Sequence, residues 1–241
     1  MARNINRESV FRFKQFQVKN DISAMKVGTD GVLIGAWADV ENIKSVLDIG
    51  CGTGLISLMI AQRCNAVITG VEIDNLAADE CKYNFDNSPW KDQLSLIHAD
   101  FNSLQNNEQK FDLIISNPPF FTNGITAPDK SRAIARHCET LNYASLIAFA
   151  AEHLSETGKL AFIAPADKND EIVNAITRND LHIVRQTDIF SKPSKDVAVR
   201  TLWEISPKEQ EKINFSLYIR NDDNTYHNDY INLTKDFYLN F

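Results

Sequence analysis

Ser45–Ile49 (SVLDI) runs directly into Gly50–Gly54 (GCGTG), and this stretch decides the fold. Its first half is a short apolar run, typical of a strand that is buried on both faces. The glycines let the backbone turn tightly and approach a ligand closely. From Leu55 onward the apolar residues have helical spacing. A strand, a glycine-rich turn and a helix in this order predict the first unit of a nucleotide-binding α/β sheet.

The same alternation continues along the chain. Helical spacing recurs between the strands, in ranges 54–63, 75–85 and 141–155. Further apolar runs are Ala66–Glu72, Leu94–His98, Phe111–Ser116 and Lys159–Ala164. After them, range 167–178 is predicted as a helix, and ranges 182–189 and 197–205 as two more strands. We therefore expect an α/β fold with a doubly wound, mostly parallel, seven-stranded sheet.

The chain is expected to form one domain over residues 1–241. Within it we expect a basic N-terminal arm (1–28), a Rossmann-like core (29–205) and a C-terminal extension (206–241) of strand or loop. Residues 1–26 carry six basic and two acidic side chains, a balance of +4 in a chain of net charge −7. This distribution argues against a general nucleic-acid binder but fits one phosphate-contacting arm.

Composition narrows the class of protein further. A hydrophobic fraction of 44% and a charged fraction of 24% are typical of a globular domain. No apolar run approaches the roughly 18 residues of a membrane span, and the first residues lack the apolar core of a signal peptide. The four cysteines have no metal-ligand spacing. We expect a cytoplasmic protein with reduced thiols, no metal and no membrane partner.

Glu72 ends the second strand, and it is a candidate ribose ligand. An acidic residue at this place can accept hydrogen bonds from both ribose hydroxyls. The loop Gly50–Gly54 has the spacing GxGxG, one residue tighter than the dinucleotide pattern GxGxxG. It resembles motif I of class I methyltransferases, which binds S-adenosylmethionine. Taken alone, Asp100 fits a helix N-cap better than a ligand. In this order, after Gly50–Gly54 and Glu72, Asp100 and Phe101 resemble the segment of that family that meets the adenine.

Asn117-Pro118-Pro119-Phe120 follows the fourth core strand and resembles the (N/D)PP(Y/F) motif of amino-group methyltransferases. The Asn117 side-chain oxygen and the Pro118 carbonyl can each accept one N–H bond from an exocyclic amine, which aims its lone pair at a methyl donor. The prolines fix the backbone so that both acceptors converge without reorganisation. Phe120 offers a face on which an extruded base can stack. Range 117–140 is a long connection at a strand's carboxyl end, which favours a functional loop.

The whole chain is similar to the bacterial tRNA1(Val) adenine-N6-methyltransferases, which modify adenine 37 beside the anticodon. Ranges 25–37, 133–137 and 235–239 carry this resemblance together with the two motifs. It implies S-adenosylmethionine as cofactor and the anticodon stem-loop of tRNA as partner. The implied cofactor ligands are Lys26, Thr29, Asp48, Gly50, Cys51, Gly52, Gly54, Glu72, Ile73, Asp100, Phe101 and Asn117. The implied RNA contacts are Pro119, Phe121, Lys130, Arg132, Arg136, Arg7, Arg12 and Lys14.

Three alternatives remain open on the sequence alone. The same NPPF motif serves protein glutamine N5-methyltransferases and ribosomal-RNA guanine N2-methyltransferases. A third reading is a catalytically silent protein that binds S-adenosylmethionine or RNA. The amine-polarising Asn117 argues against it, because a binding module needs no such group.

Overall fold

A computed structural model describes residues 9–23, 26–105, 108–119 and 141–240. A small antiparallel hairpin, β1 (Val10–Arg12) and β2 (Gln17–Lys19), precedes the main sheet. The strands of the main sheet are β3 (Ser45–Ile49), β4 (Val67–Glu72), β5 (Leu94–His98), β6 (Phe111–Ser116), β7 (Leu154–Pro165), β8 (His182–Phe190), β9 (Arg200–Ser206) and β10 (Ile213–Tyr218). The helices are α1 (Thr29–Trp37), α2 (Leu55–Arg63), α3 (Asn75–Asp86), α4 (Tyr143–His153), α5 (Asn169–Arg178) and α6 (Asn228–Thr234).

The main sheet has the order β10-β8-β9-β7-β6-β3-β4-β5. Strand β9 runs antiparallel to both of its neighbours, and the other pairs are parallel. The mostly parallel α/β fold is therefore confirmed. Because β3, β4 and β6 are parallel, their carboxyl ends lie at one edge of the sheet, where ligands bind in such folds.

The central strands β3 and β6 are buried on both faces, as their continuous apolar sequences predicted, whereas the edge strand β5 is exposed or half-buried throughout. Neighbouring residues of a strand point to opposite faces. Accordingly, Leu47 packs in the core layer that contains α4 and α5, and Val46 packs in the layer that contains α1 and α2. Among the described residues, no helix is long and apolar enough to cross a membrane.

The prediction of seven strands was wrong, because the structure adds β10 as an eighth strand beside β8. This edge strand gave a weak signal, since its first four residues are exposed and only Leu217 is buried. The prediction of strand or loop after residue 206 also missed α6. That helix has seven residues, and it is stabilised mainly by burial of Tyr230 and Thr234 against the rest of the protein.

The two ends of the described chain pack against each other. The backbone N–H of Lys14 donates to the Phe237 carbonyl at 2.8 Å. The Lys14 ammonium donates to the Lys235 carbonyl at 2.6 Å. Phe13 and Phe16 of the hairpin lie with Phe237 in a third core cluster beside α2 and α3. The hairpin and the C-terminal segment thus form one layer next to α1.

Candidate active site

The glycine-rich turn lies at the carboxyl edge of the sheet, between β3 and α2. Gly50, Gly52 and Gly54 have φ values of 67°, 57° and 82°. A Cβ on Gly54 would stand 2.5 Å from the Phe85 ring, so this glycine permits close helix packing. A Cβ on Gly52 would meet no atom within 4 Å. Gly52 therefore leaves room for a ligand, as the motif predicted.

Glu72 holds this turn in place from the end of β4. Its carboxylate is buried and accepts the Gly52 N–H at 2.8 Å. The second oxygen accepts the Asp74 N–H, also at 2.8 Å. A carboxylate has about four lone-pair sites, so two are left for other donors. Glu72 can thus order the turn and still bind a diol.

Asp48 is fully buried beneath the turn rather than exposed to a ligand. One carboxyl oxygen accepts from the Ser57 backbone N–H at 3.1 Å and from its hydroxyl at 2.7 Å. The other oxygen has no hydrogen-bond partner within the described structure. Burial raises the pKa of Asp48 to about 7. The residue therefore ties the first turn of α2 to β3 at an electrostatic cost.

A cavity of about 460 Å³ opens above the turn, and we call it the glycine-loop cavity. Six residues predicted to bind the cofactor line it, namely Lys26, Thr29, Gly50, Cys51, Gly52 and Asn117. Other predicted cofactor ligands, Asp48, Gly54, Glu72, Ile73, Asp100 and Phe101, are not part of its described lining. The Lys26 ammonium donates to the Asn20 and Asp21 carbonyls at 2.7 and 2.9 Å. It thus anchors the hairpin at the mouth of the cavity.

Asp100, Phe101 and Ile73 have other contacts in the structure. The Asp100 carboxylate accepts the Asn102 N–H at 2.9 Å and caps a short 3₁₀ helix, which fits the alternative reading of this residue. Phe101 is buried and its ring packs edge-on against Phe149 at 5.5 Å. The Ile73 carbonyl lies 3.3 Å from a ring nitrogen of His98. Adenine contacts by Asp100 and Phe101 stay predictions.

Asn117 stands directly after β6, at the same edge of the sheet. The Ser116 hydroxyl donates to the Ile49 carbonyl at 2.8 Å and fixes this strand end against β3. The Asn117 side-chain oxygen is buried and has no hydrogen-bond partner within the described residues. An unpaired buried acceptor costs about 1 to 3 kcal/mol. A residue that lines the cavity therefore holds a buried acceptor that lacks a donor within the described residues.

A second cavity, of about 550 Å³, is lined by the two residues that follow Asn117, and we call it the proline cavity. Pro118, Pro119 and Tyr143 are among its lining residues. The Tyr143 hydroxyl has no partner among the described residues, and burial raises the pKa of this tyrosine above its usual range. Of the residues predicted to bind substrate, Phe120, Phe121, Lys130, Arg132, Arg136 and Arg7 lie outside the described residues.

Arg200 lines both cavities, and no motif in the sequence pointed to it. It is the first residue of β9, and its Nε atom donates to the Asp30 carboxylate at 3.0 Å. The two residues are 170 positions apart in sequence, so no local motif could have paired them. The antiparallel return of β9 beside β7 brings Arg200 to the site.

Cys51, predicted to be a reduced thiol, lies beside Cys81 in the fold. The two sulfur atoms are 3.7 Å apart and buried. Their contact and burial raise the pKa of Cys51 well above its ordinary value. The Cys51 thiol therefore remains protonated, and the two side chains pack the turn against α3.

This fold and this site define a class I S-adenosylmethionine-dependent methyltransferase. The methyltransferase small domain family model matches residues 28–190. An O-methyltransferase structure from Agrobacterium tumefaciens aligns with a TM-score of 0.66 at 19% identity, covering 86% of this chain and 96% of that one. A structure of P. horikoshii TYW2 in complex with MeSAdo aligns with a TM-score of 0.57 at 14% identity, over 83% of this chain and 71% of that one.

Full-length relatives narrow the class further. A tRNA1(Val) (adenine(37)-N6)-methyltransferase of Phocaeicola vulgatus is 45% identical over 230 residues, which is 95% of this chain and 97% of the relative. A protein of the same name from Haemophilus influenzae is 42% identical, over 97% of this chain and all of the relative. The chain belongs to the tRNA1(Val) (adenine(37)-N6)-methyltransferase family.

Proposed function

We propose that this enzyme transfers the methyl group of S-adenosylmethionine to N6 of adenine 37 in tRNA1(Val), the activity for which its relatives are named. One observation carries the proposal. The Asn117 side-chain oxygen is a buried acceptor without a described partner; Asn117 lines the glycine-loop cavity, and the next two residues, Pro118 and Pro119, line the proline cavity. This is the place where an exocyclic N–H donor has to meet a methyl donor.

The glycine-loop cavity is the proposed cofactor site. Its residues fit the group, because Gly52 leaves open space at the turn and Glu72 retains acceptor sites for two ribose hydroxyls. When bound, S-adenosylmethionine supplies an electrophilic methyl group whose sulfonium leaves as a neutral thioether.

The proline cavity is the proposed site of the target base. The Asn117 side-chain oxygen and the Pro118 carbonyl accept the two N–H bonds of the amine and direct its lone pair toward the glycine-loop cavity. The new N–C bond forms as the C–S bond breaks, and the amine then loses one proton to water. No strong general base is required, because the leaving group is neutral. Tyr143 offers a protonated hydroxyl beside the base.

RNA is the substrate class that best fits the charge distribution. Two of the proposed phosphate contacts, Arg12 and Lys14, are exposed on the described hairpin. The remaining ones, Arg7, Lys130, Arg132 and Arg136, are proposed from the resemblance alone. The anticodon stem-loop is the proposed docking element. Protein glutamine and guanine N2 are the rival acceptors, since either offers an N–H pair to the same acceptors.

Methyl transfer from labelled S-adenosylmethionine to three acceptors tests the proposal. We expect label in total tRNA, and none above background in ribosomal RNA or in a peptide-chain release factor. The Asn117→Ala variant serves as the matched blank, because it removes one acceptor of the amine. Label in the release factor, or equal label in the wild-type and blank reactions, would contradict the proposal.

A further inference from the structure

A third cavity, of about 630 Å³, lies between the two packed ends of the chain, and we call it the aromatic groove. Its walls are β1, residues 27–29 and the C-terminal segment. Its rings are Phe11, Tyr226, Tyr230 and Tyr238. A volume in this range is typical of a ligand pocket. Nothing in the proposed chemistry uses this groove.

Two rings of the groove are exposed but held in fixed positions. Phe11 is 38% exposed, and its ring meets Tyr238 edge-on at 6.2 Å. Tyr226 is 39% exposed and stacks on Tyr230, with ring centroids 5.2 Å apart and an interplanar angle of 16°. The Arg220 guanidinium lies 4.4 Å from the centre of the Tyr226 ring. Partly exposed aromatic side chains that are held beside a guanidinium are suited to contacts with planar, electron-rich rings.

The charge of the groove differs from that of the whole protein. Its described lining includes Arg12 and no acidic side chain, although the chain has a net charge of −7. Arg220 adds a second cation beside Tyr226. The groove therefore favours an anionic ligand with aromatic groups over a basic or purely apolar one.

The aromatic groove adjoins the glycine-loop cavity. Val27, Gly28 and Thr29 line both the aromatic groove and the glycine-loop cavity. A polymer whose reacting unit stands at Asn117 can therefore extend its neighbouring units toward this surface.

We propose that the aromatic groove binds unpaired nucleotides that flank the target base in the RNA substrate. The inference rests on the proposed function, since it takes the acceptor to be RNA. The bases stack on Phe11 and Tyr226, and Arg12 pairs with a phosphate between them. The C-terminal segment, whose role the sequence left open, thus serves as one wall of the substrate site.

Tyr226→Ala tests the stacking, with Tyr83→Ala as the matched control. Tyr83 is also exposed, at 45%, and also has a cation over its ring, Lys19 at 5.0 Å, but it lies on α3 away from the groove. We measure tRNA binding by titration, single-turnover methylation across tRNA concentrations, and cofactor affinity by calorimetry. Losing one stacked base weakens RNA binding by roughly five- to 150-fold. We expect such a loss for Tyr226→Ala, a change below about twofold for Tyr83→Ala, and normal cofactor affinity in both.

Arg12→Gln is a second variant that removes no packed ring, so it tests the groove even if Tyr226→Ala is poorly folded. It should lower the salt dependence of tRNA binding by about one phosphate contact. Two outcomes overturn the inference: Tyr226→Ala binding tRNA as tightly as Tyr83→Ala, or Arg12→Gln keeping the wild-type salt slope. A wild-type enzyme that does not methylate tRNA at all would instead refute the proposed function.

Discussion

Gly52→Ala separates cofactor binding from folding, because the added methyl group meets no protein atom within 4 Å. The residue has a φ of 57°, a left-handed conformation that costs a non-glycine residue about 1 to 2 kcal/mol. The variant should therefore fold with a small loss of stability. The same methyl group occupies space in the glycine-loop cavity. The cofactor is then displaced and loses one charge-assisted hydrogen bond. That loss weakens cofactor binding by about 10- to 100-fold.

Calorimetric titration with S-adenosylmethionine and urea unfolding measure these two effects. Gly54→Ala is the matched control, since its Cβ would stand 2.5 Å from Phe85 and 2.9 Å from Cys81. Overpacking together with the left-handed φ costs about 2 to 5 kcal/mol. Stability should thus fall much further in Gly54→Ala than in Gly52→Ala. Unchanged cofactor affinity in Gly52→Ala would refute the placement of the cofactor against this turn.

Three further substitutions test other parts of the site. Asn117→Ala should bind the cofactor normally but lose about 10² to 10³ in single-turnover rate, whereas Asn117→Asp, which keeps an acceptor, should recover part of it; a fully active alanine variant would contradict the mechanism. Glu72→Ala should weaken cofactor binding at least about tenfold by calorimetry, because it removes the ribose acceptor and the Gly52 N–H partner; wild-type affinity would dismiss this role. Burial raises the pKa of Asp48 to about 7 from 3.8, so its contribution to stability is complete below the lower value and is lost as pH rises through the higher one. The measured quantity is the free energy of unfolding in urea of the wild type minus that of Asp48→Asn. This difference should fall by up to about 4 kcal/mol between about pH 4 and pH 8. A constant difference would show that Asp48 ionises normally.

Local sequence predicted much of the fold and part of the site. The strands β3 and β6 have the predicted bounds, because a buried parallel strand is a continuous apolar run between turn residues. The bounds of β5 were also predicted correctly, although this edge strand is only partly buried. The turn Gly50–Gly54 was predictable for a related reason, since its positive φ values require glycine. The position of Asn117 was also predictable, because the residue directly follows a strand whose end is visible in the sequence.

Features that depend on distant contacts were not predictable. The Arg200–Asp30 pair forms only when β9 returns beside β7. The α6 helix is short and polar, and it is stabilised mainly by buried Tyr230 and Thr234 rather than by helix propensity. Asp48 looked like a ligand in its motif, but burial makes it a support of the turn. The spacing of a motif can identify a residue such as Asp48, but the contacts of that residue depend on the packed fold.

The position of the methyl group on the RNA tests the central claim most directly. Purified tRNA1(Val) lacking the modification is incubated with the enzyme and S-adenosylmethionine, then digested to oligonucleotides and nucleosides for mass spectrometry. The proposed mechanism predicts N6-methyladenosine, confined to the fragment that contains adenine 37, and its absence with Asn117→Ala. A methyl group on a ring nitrogen, on carbon or on guanine N2 would contradict it.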